Sequence, residues 1–290
     1  AVKADPGAMS ETSWPAPAKI NLFLRVTGRR PDGYHELQTL FQLLDWGDRV
    51  RLKPLADGRI CRAAADYPVP EQEDLVVRAA RLLQEHCETE SGVEIAIEKN
   101  VPLGSGLGGG SSDAATVLLV LNRMWECGLT LDELAVLGAG LGADVPVFVH
   151  GRSALATGIG DRLQPFSLGR RHYVLVFPGI SIATADVFND PELKRDSALL
   201  SAEQIRAGQG GNDCTAVVTR RFPEIKTALH SLRHWGNPML TGTGSTVFIP
   251  MNDKKQANSA AREIKSLYNT RAVTGLDRSP VHEELYRDGD

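Results

Sequence analysis

Residues 102–115 read Pro-Leu-Gly-Ser-Gly-Leu-Gly-Gly-Gly-Ser-Ser-Asp-Ala-Ala, with five glycines and three serines in fourteen positions. Glycine lets backbone N–H groups turn inward with no Cβ in the way. A helix beginning at the end of such a loop adds free N–H donors and the positive end of its dipole. Together they make a cradle for phosphate. Ser111 and Ser112 stand where that helix would begin. Serine there can cap the helix, or it can offer its hydroxyl to a phosphate or to Mg²⁺.

Several loops share these glycines. Gly104-x-Gly106-x-x-Gly109 fits the dinucleotide-binding fingerprint, but that fingerprint belongs to an early strand–helix–strand unit with an acidic strand end about 20 residues on. Here the loop lies over 100 residues into the chain, and Asp132 and Glu133 fall in a helix cap. A Walker loop ends in Gly-Lys-Ser/Thr; this one ends in Gly110-Ser111-Ser112, with no lysine.

The loop must be held by regular elements. Ile20, Leu22, Leu24 and Val26 alternate with Lys19, Asn21, Phe23 and Arg25, which predicts a half-buried strand with Lys19 and Asn21 on its second face. Arg30-Pro31-Asp32-Gly33 predicts a turn that delivers Tyr34 and His35. Residues 74–86 carry a helical stripe, and residues 93–98 alternate as a strand just before the loop. Residues 114–125 are apolar almost all round, as in a buried helix. Thr130 and Glu133 form a capping box for another. Asp144-Val145-Pro146 follows a glycine-rich helix end. A glycine-bearing stretch at 158–161 reads as a joint, and a second alternation of strands and helices runs from 173 to 275. The tail after Leu276 reads as polar and loose. The pattern implies a mixed α+β chain of two domains, 9–160 and 161–290. It does not alternate strictly enough for a doubly wound parallel sheet. Residues 1–8 read as the remnant of an expression tag.

The whole composition narrows the function. The chain has 290 residues, 42% hydrophobic and 23% charged, with a net charge of −4. That balance gives no global pull toward nucleic acid or anionic membrane. No apolar run is long enough to span a bilayer, and no obligate protein partner is evident. Cys61, Cys87, Cys127 and Cys214 contain no C-x-x-C pair, so a zinc site is not expected and a reducing cytoplasmic compartment is the simplest reading.

The loop P-x-G-x-G-L-G-G-G-S-S-x-A-A resembles the second motif of the GHMP kinases, which include galactokinase, homoserine kinase and mevalonate kinase. Residues 17–22 (Pro-Ala-Lys-Ile-Asn-Leu) resemble the first motif and residues 240–245 (Leu-Thr-Gly-Thr-Gly-Ser) the third. The triple glycine of residues 108–110 and the segment Asp-Gly-Tyr-His-Glu-Leu-Gln-Thr-Leu at 32–40 narrow the likeness to members acting on a cytidine-linked alcohol. The resemblance implies a ribosomal-S5-domain-2-like N-terminal domain and a ferredoxin-like C-terminal domain, with the active cleft between them.

It further implies ATP with Mg²⁺ as cofactor. The expected reaction phosphorylates the 2-hydroxyl of CDP-methylerythritol, a step in non-mevalonate isoprenoid precursor synthesis, with ADP as co-product. The alternative is another small-molecule kinase of the family, acting on homoserine, mevalonate or a sugar. A nucleotide-binding oxidoreductase and a non-catalytic nucleotide-binding protein are more distant rivals. Asp144 and Lys19 are the implied catalytic pair, a base for the acceptor hydroxyl and a cation for the transferring phosphoryl group. Pro102, Leu103, Gly104, Ser105, Gly106, Leu107, Gly108, Gly109, Gly110, Ser111 and Ser112 would hold ATP, with Lys99 within reach and Ser112 or Ser111 near Mg²⁺. Substrate would meet Asn21, Tyr34, His35, Thr184, Phe188, Gly242, Thr243 and Gly244, with Tyr34 and Phe188 stacking on cytosine and His35 at its edge. Lys19 and Asp144 are expected to share one cleft.

Overall fold

The computed structural model describes residues 10–63 and 69–287. The tag expected at residues 1–8 lies outside them. The first half comprises β1 (Thr12–Arg29), β2 (His35–Leu55), β3 (Ile60–Arg62), α1 (Leu75–His86), β4 (Gly92–Glu98), α2 (Gly109–Met124), α3 (Leu131–Ala139), α4 (Val145–His150), β5 (Ala154–Thr157) and β6 (Arg162–Pro165). The second half comprises β7 (Arg171–Phe177), α5 (Thr184–Phe188), α6 (Ala202–Arg206), α7 (Cys214–Arg221), α8 (Pro223–Ser231), β8 (Met239–Leu240), β9 (Val247–Met251), α9 (Lys254–Ile264), β10 (Asn269–Leu276) and α10 (Pro280–Leu285). The strands form a single sheet in the order β3-β4-β2-β10-β7-β9-β8. The two halves join where Leu43 and Leu44 of β2 pair with Leu276 and Gly275 of β10.

The expected turn at Arg30–Gly33 is present. The Arg30 N–H donates to the Tyr34 carbonyl at 2.7 Å, and Gly33 takes φ +91°, a conformation that costs glycine nothing. The turn sets β1 antiparallel to β2 over nearly its whole length, from Arg29 opposite His35 to Thr12 opposite Leu52. The other edge of β2 is shared by β4, β10 and β5. β1 therefore keeps an open outer edge.

Loops from across the chain close that edge. The Lys19 N–H donates to Leu107 O at 3.0 Å and the Leu24 N–H to Gly211 O at 2.8 Å. The Asn21 N–H donates to Thr241 Oγ1 at 2.8 Å, and the Val26 N–H to Asp213 Oδ2 at 2.8 Å. Covering an edge in this way satisfies groups that would otherwise template aggregation. It also corrects one expectation. The strand is buried on both faces rather than half-buried, with Lys19 and Asn21 covered as well.

The two larger apolar clusters build this frame. The first gathers β2, β4, α1, α2 and α4 around Leu52, Leu83, Ile95 and Leu118, all fully buried. The second gathers β7, β9 and helices α7–α9 around Val174, Val218 and Ile264. Burying each such side chain contributes about 1.5–3 kcal/mol. Leu24 and Val26 of β1 belong to the second core, and Val281 and Leu285 of α10 to the first. The described part of the tail, residues 277–287, is thus not loose. Val281 and Leu285 stand four residues apart on one face of α10, and its start is tied down by the Ser279 N–H donating to Gly151 O at 2.8 Å. That short apolar pattern sits among charges, which is why the tail reads as polar.

A buried ionic strut roots the glycine loop. Asp48, on β2, is buried and accepts from the Asn100 N–H at 2.6 Å and the Val101 N–H at 2.7 Å. Lys99 bonds both Asp48 and Asp113, the latter at 2.9 Å. Burial alone would lower the Lys99 pKa, but the Asp113 and Asp48 carboxylates outweigh it and hold the ammonium above its usual range. Asp113 has one oxygen without a partner, and burial pushes its carboxyl up to about 8 against the pull of Lys99.

Two substitutions test the strut by urea unfolding. Asp48→Ala leaves Lys99 with Asp113 alone, strands two backbone donors and should cost about 3–5 kcal/mol; a loss within experimental error would contradict the strut. Between roughly pH 4 and pH 8 the folded Asp113 keeps a proton that the unfolded chain has released, so its contribution falls as pH rises. Asp113→Asn should therefore gain relative to the wild type from pH 5 to pH 8, by at most about 1.4 kcal/mol per pH unit. A pH-independent difference would contradict the assignment.

Candidate active site

The covered edge of β1 presents Lys19 and Asn21 to a cavity of about 470 Å³ between the two halves, within the range of small-molecule sites. One wall is the glycine loop, residues 102–111. Gly104, Gly106 and Gly108 take φ of +64°, +77° and +71°. At two of these positions space is also decisive. A Cβ on Gly106 would stand 2.6 Å from Gly244 O, and one on Gly108 would stand 2.9 Å from the Phe148 ring and 3.1 Å from Lys19 Cε. The loop thus threads between the third motif and the lysine with no room for side chains. Gly108 caps α2 in the left-handed conformation, leaving the first N–H groups of a 16-residue helix facing the loop.

Asp144 occupies the position before α4, and Pro146 presets the first turn of that helix. A carboxylate there would ordinarily cap the helix. Asp144 makes no cap bond; its Oδ2 instead lies 3.1 Å from Lys19 Nζ. The lysine side chain is 5% exposed and the aspartate 32%, so the carboxylate opens to the cavity while the ammonium lies behind it.

Lys19 is fixed on three sides. It donates to Asn21 Oδ1 at 2.8 Å and lies 5.1 Å from the centre of the Phe41 ring, a favourable cation–π distance. Asn21 Nδ2 donates to Thr39 Oγ1 at 2.8 Å, and the Thr39 hydroxyl donates to Phe23 O at 2.5 Å. Because the Thr39 proton is committed, its oxygen can only accept. That fixes the Asn21 amide with its oxygen toward Lys19.

The second half supplies the opposite wall. Asn212 Nδ2 donates to Leu240 O at 2.9 Å and Gly242 O at 2.7 Å, shaping the third motif. Thr184 and Thr243 share a hydrogen bond of 3.1 Å, and both line the cavity with Gly242 and Phe188. The His35 ring stacks on Phe188 with centroids 5.2 Å apart. His35 Nε2 accepts from Arg195 Nε at 3.0 Å. Burial first, then the Arg195 and Arg29 charges, hold the imidazole below its ordinary pKa.

The structure brings together most of the expected site residues. Lys19, Asn21, Asp144, Lys99, Thr184, Phe188, Gly242, Thr243 and residues 102–111 all line the one cavity. Lys99 reaches it with an ammonium already bonded to Asp48 and to Asp113. Four residues stand elsewhere. Ser112 is fully buried with an unpartnered hydroxyl, because it lies one position into α2 past the wall, so Ser111 is the serine on the cavity. Gly244 turns toward Leu240 and Ile182. His35 stands behind Phe188 rather than on the wall. Tyr34, at the tip of the β1–β2 turn, is 62% exposed.

Four contributors escaped the sequence reading: Thr39, Phe41, Asp48 and Arg195. The predicted turn held a signal for the first two, since a hairpin through it puts Phe41 opposite Asn21 and Thr39 opposite Leu24. Asp48 and Arg195 carry no local pattern.

Comparison with known proteins bears on this arrangement. Residues 74–152 match the family described as GHMP kinases N terminal domain, and residues 188–270 match GHMP kinases C terminal. A 4-diphosphocytidyl-2-C-methyl-D-erythritol kinase of Halorhodospira halophila is 48% identical over 281 residues, covering 96% of this chain and 98% of the relative. The enzyme of that name from Chromohalobacter salexigens is 50% identical over 285 residues, covering 96% and 95%. A crystal structure of 4-(cytidine 5′-diphospho)-2C-methyl-D-erythritol kinase superposes with a TM-score of 0.80 at 36% identity, covering 92% of this chain and 99% of the other. Homoserine kinase from Cytophaga hutchinsonii shares the fold, with a TM-score of 0.65 at 16% identity over 93% of this chain and 96% of that one. The glycine loop, the Lys19–Asp144 pair and the two-domain frame therefore stand in a chain that belongs to the GHMP kinase family, whose members are ATP-dependent kinases.

Proposed function

We propose that the chain transfers the γ-phosphoryl group of ATP to the 2-hydroxyl of CDP-methylerythritol and releases ADP. The contact of Lys19 with Asp144 inside a cavity walled by the glycine loop supports the chemistry. The two relatives that are about half identical along nearly the whole chain carry the name of that enzyme and support the substrate. Homoserine and mevalonate kinases share the fold at 14–16% identity, which speaks only to the fold.

Phosphoryl transfer depends on positioning and charge neutralisation. The backbone N–H groups of residues 104–111 and the start of α2 would hold the triphosphate, with the terminal phosphoryl group directed at Lys19. Asp144 would accept the proton of the acceptor hydroxyl as its oxygen attacks phosphorus. The bond from phosphorus to the bridging oxygen breaks, and ADP carries away the charge. Lys19, held by Asn21 and Phe41, neutralises the equatorial oxygens without moving. Its own hydrogen bond to Asn21 keeps the ammonium between the carboxylate and the loop.

Mg²⁺ would enter with the nucleotide. Among the described residues no group of three or more His, Cys, Asp or Glu residues is arranged to hold a metal. That suits an ion held mainly by phosphate oxygens and water, with the Ser111 hydroxyl as the side-chain oxygen nearest the loop's end. When bound, the ion neutralises charge on the phosphates. The cytosine would be held on the Phe188 side of the cavity, with His35 at its edge and Tyr34 closing over it from the turn. All four cysteines are unpaired, which supports a reducing cytoplasmic setting. No helix among the described residues is long and apolar enough to cross a membrane.

ADP release assayed with CDP-methylerythritol, homoserine, mevalonate and galactose should be rapid only with the first. Turnover of another acceptor in its place would overturn the substrate assignment. Asp144→Asn should lower kcat by about 10²–10⁴-fold with little change in KM for ATP; a near-normal kcat would contradict the role of the carboxylate as base.

A further inference from the structure

Arg195 lies in the segment between α5 and α6, 160 residues from His35 in the chain. Its guanidinium has five N–H donors, and each meets an acceptor. Nε donates to His35 Nε2 at 3.0 Å. Nη1 donates to Leu193 O at 3.0 Å and to Pro191 O at 3.5 Å. Nη2 donates to Phe188 O at 3.0 Å and to Asp190 O at 2.6 Å. One planar group thus ties the backbone of Phe188 to the ring of His35, and the two rings stack.

The chemistry of this bond fixes the state of the histidine. Arginine does not lose its proton and accepts no hydrogen bond. His35 Nε2 must therefore be the bare nitrogen, and the ring proton sits on Nδ1. His35 is only 7% exposed. Its Nδ1 makes no hydrogen bond among the described residues, yet it is not among the atoms closed off from solvent without a partner. Nδ1 is left without a partner beside Phe188, whose ring lines the cavity.

We propose that Arg195 is a positioning residue for base recognition: it locks His35 as a neutral imidazole whose Nδ1–H reads N3 of the pyrimidine. This rests on the reading of Phe188 and His35 as the cytosine-holding side of the site. Cytosine offers adjacent acceptors at O2 and N3, whereas uracil carries an N–H at N3. A donor fixed on N3 therefore favours cytosine and opposes uracil, since O2 accepts in both bases and only N3 differs. A histidine free to change tautomer would lose that distinction, because a bare Nδ1 accepts instead of donating. The charged groups whose field reaches the ring are Arg195 and, from the facing position of β1, Arg29. Both are cations and both oppose protonation.

The test has two arms on the full chain. The first is ¹⁵N NMR of the histidines in free protein, with His35 assigned through His35→Gln. The wild type should show a protonated Nδ1 and a bare Nε2 through the range where an ordinary histidine titrates, near pH 6.5. Arg195→Met should show mixed tautomers and a higher pKa. A bare Nδ1 in the wild type overturns the proposal.

The second arm is steady-state kinetics with CDP and UDP as competitors. Arg195→Met should raise KM for CDP-methylerythritol about ten- to a hundredfold, as expected for losing a charge-assisted bond. The preference for CDP over UDP should narrow, while kcat and KM for ATP stay within about twofold. Arg195→Lys keeps the charge but not the fork, and should show the same KM effect with thermal stability nearer the wild type. Unchanged KM and CDP preference in both variants overturns the proposal while leaving the kinase reading intact. Failure of the wild type to turn over CDP-methylerythritol strikes the substrate reading, and the tautomer measurement then still decides whether Arg195 governs His35.

Discussion

The open edge of β1 is the constraint from which the site follows. A strand paired on one side only must satisfy its other row of backbone groups. This one does so with the glycine loop at Lys19, the third motif at Asn21, and residues 211 and 213 at Leu24 and Val26. These partners are more than 80 residues away along the chain. Pairing them to one strand brings a phosphate-holding loop, a cationic side chain and the wall of the second half to one place. The same coverage takes water from Lys19, so its ammonium needs the Asp144 carboxylate, the Asn21 carbonyl oxygen and the Phe41 ring. Burial without such partners would be costly.

The glycines serve this geometry twice. Their positive φ values aim the loop, and their missing Cβ atoms let it pass between Gly244 and Lys19. The strut of Asp48, Lys99 and Asp113 then fixes where the loop begins. A loop rooted at one end by ion pairs and at the other by a buried helix has little freedom left. Its donors are in place before nucleotide arrives, which is what electrostatic preorganisation requires.

The elements that carry the site were legible where a local pattern exists. Alternation marked β1 and β4, the capping box marked α3, and glycines with adjacent serines marked the loop and the start of α2. The family likeness marked Lys19 and Asp144. What stayed hidden depends on contacts distant in sequence. Nothing around Arg195 sets it apart from the other basic residues of its segment, and its role exists only because α5 carries Phe188 against His35. Asp48 looks like an ordinary turn aspartate until β4 is paired beside it. The covered face of β1 was misread because alternation reports one buried face and is blind to loops laid over the other. Ser112 and Ser111 differ by one residue, which on a helix is a rotation of about 100°, enough to separate buried from half-buried.

The central claim is that Asp144 and Lys19 meet the acceptor hydroxyl and the terminal phosphoryl group at one point. A crystal structure with CDP-methylerythritol and a non-hydrolysable ATP analogue measures this directly. The account predicts the 2-hydroxyl oxygen within about 3 Å of the Asp144 carboxylate, Lys19 against the terminal phosphate, and the triphosphate along residues 104–111. An acceptor hydroxyl bound out of reach of Asp144, or a triphosphate lying away from the glycine loop, would contradict it.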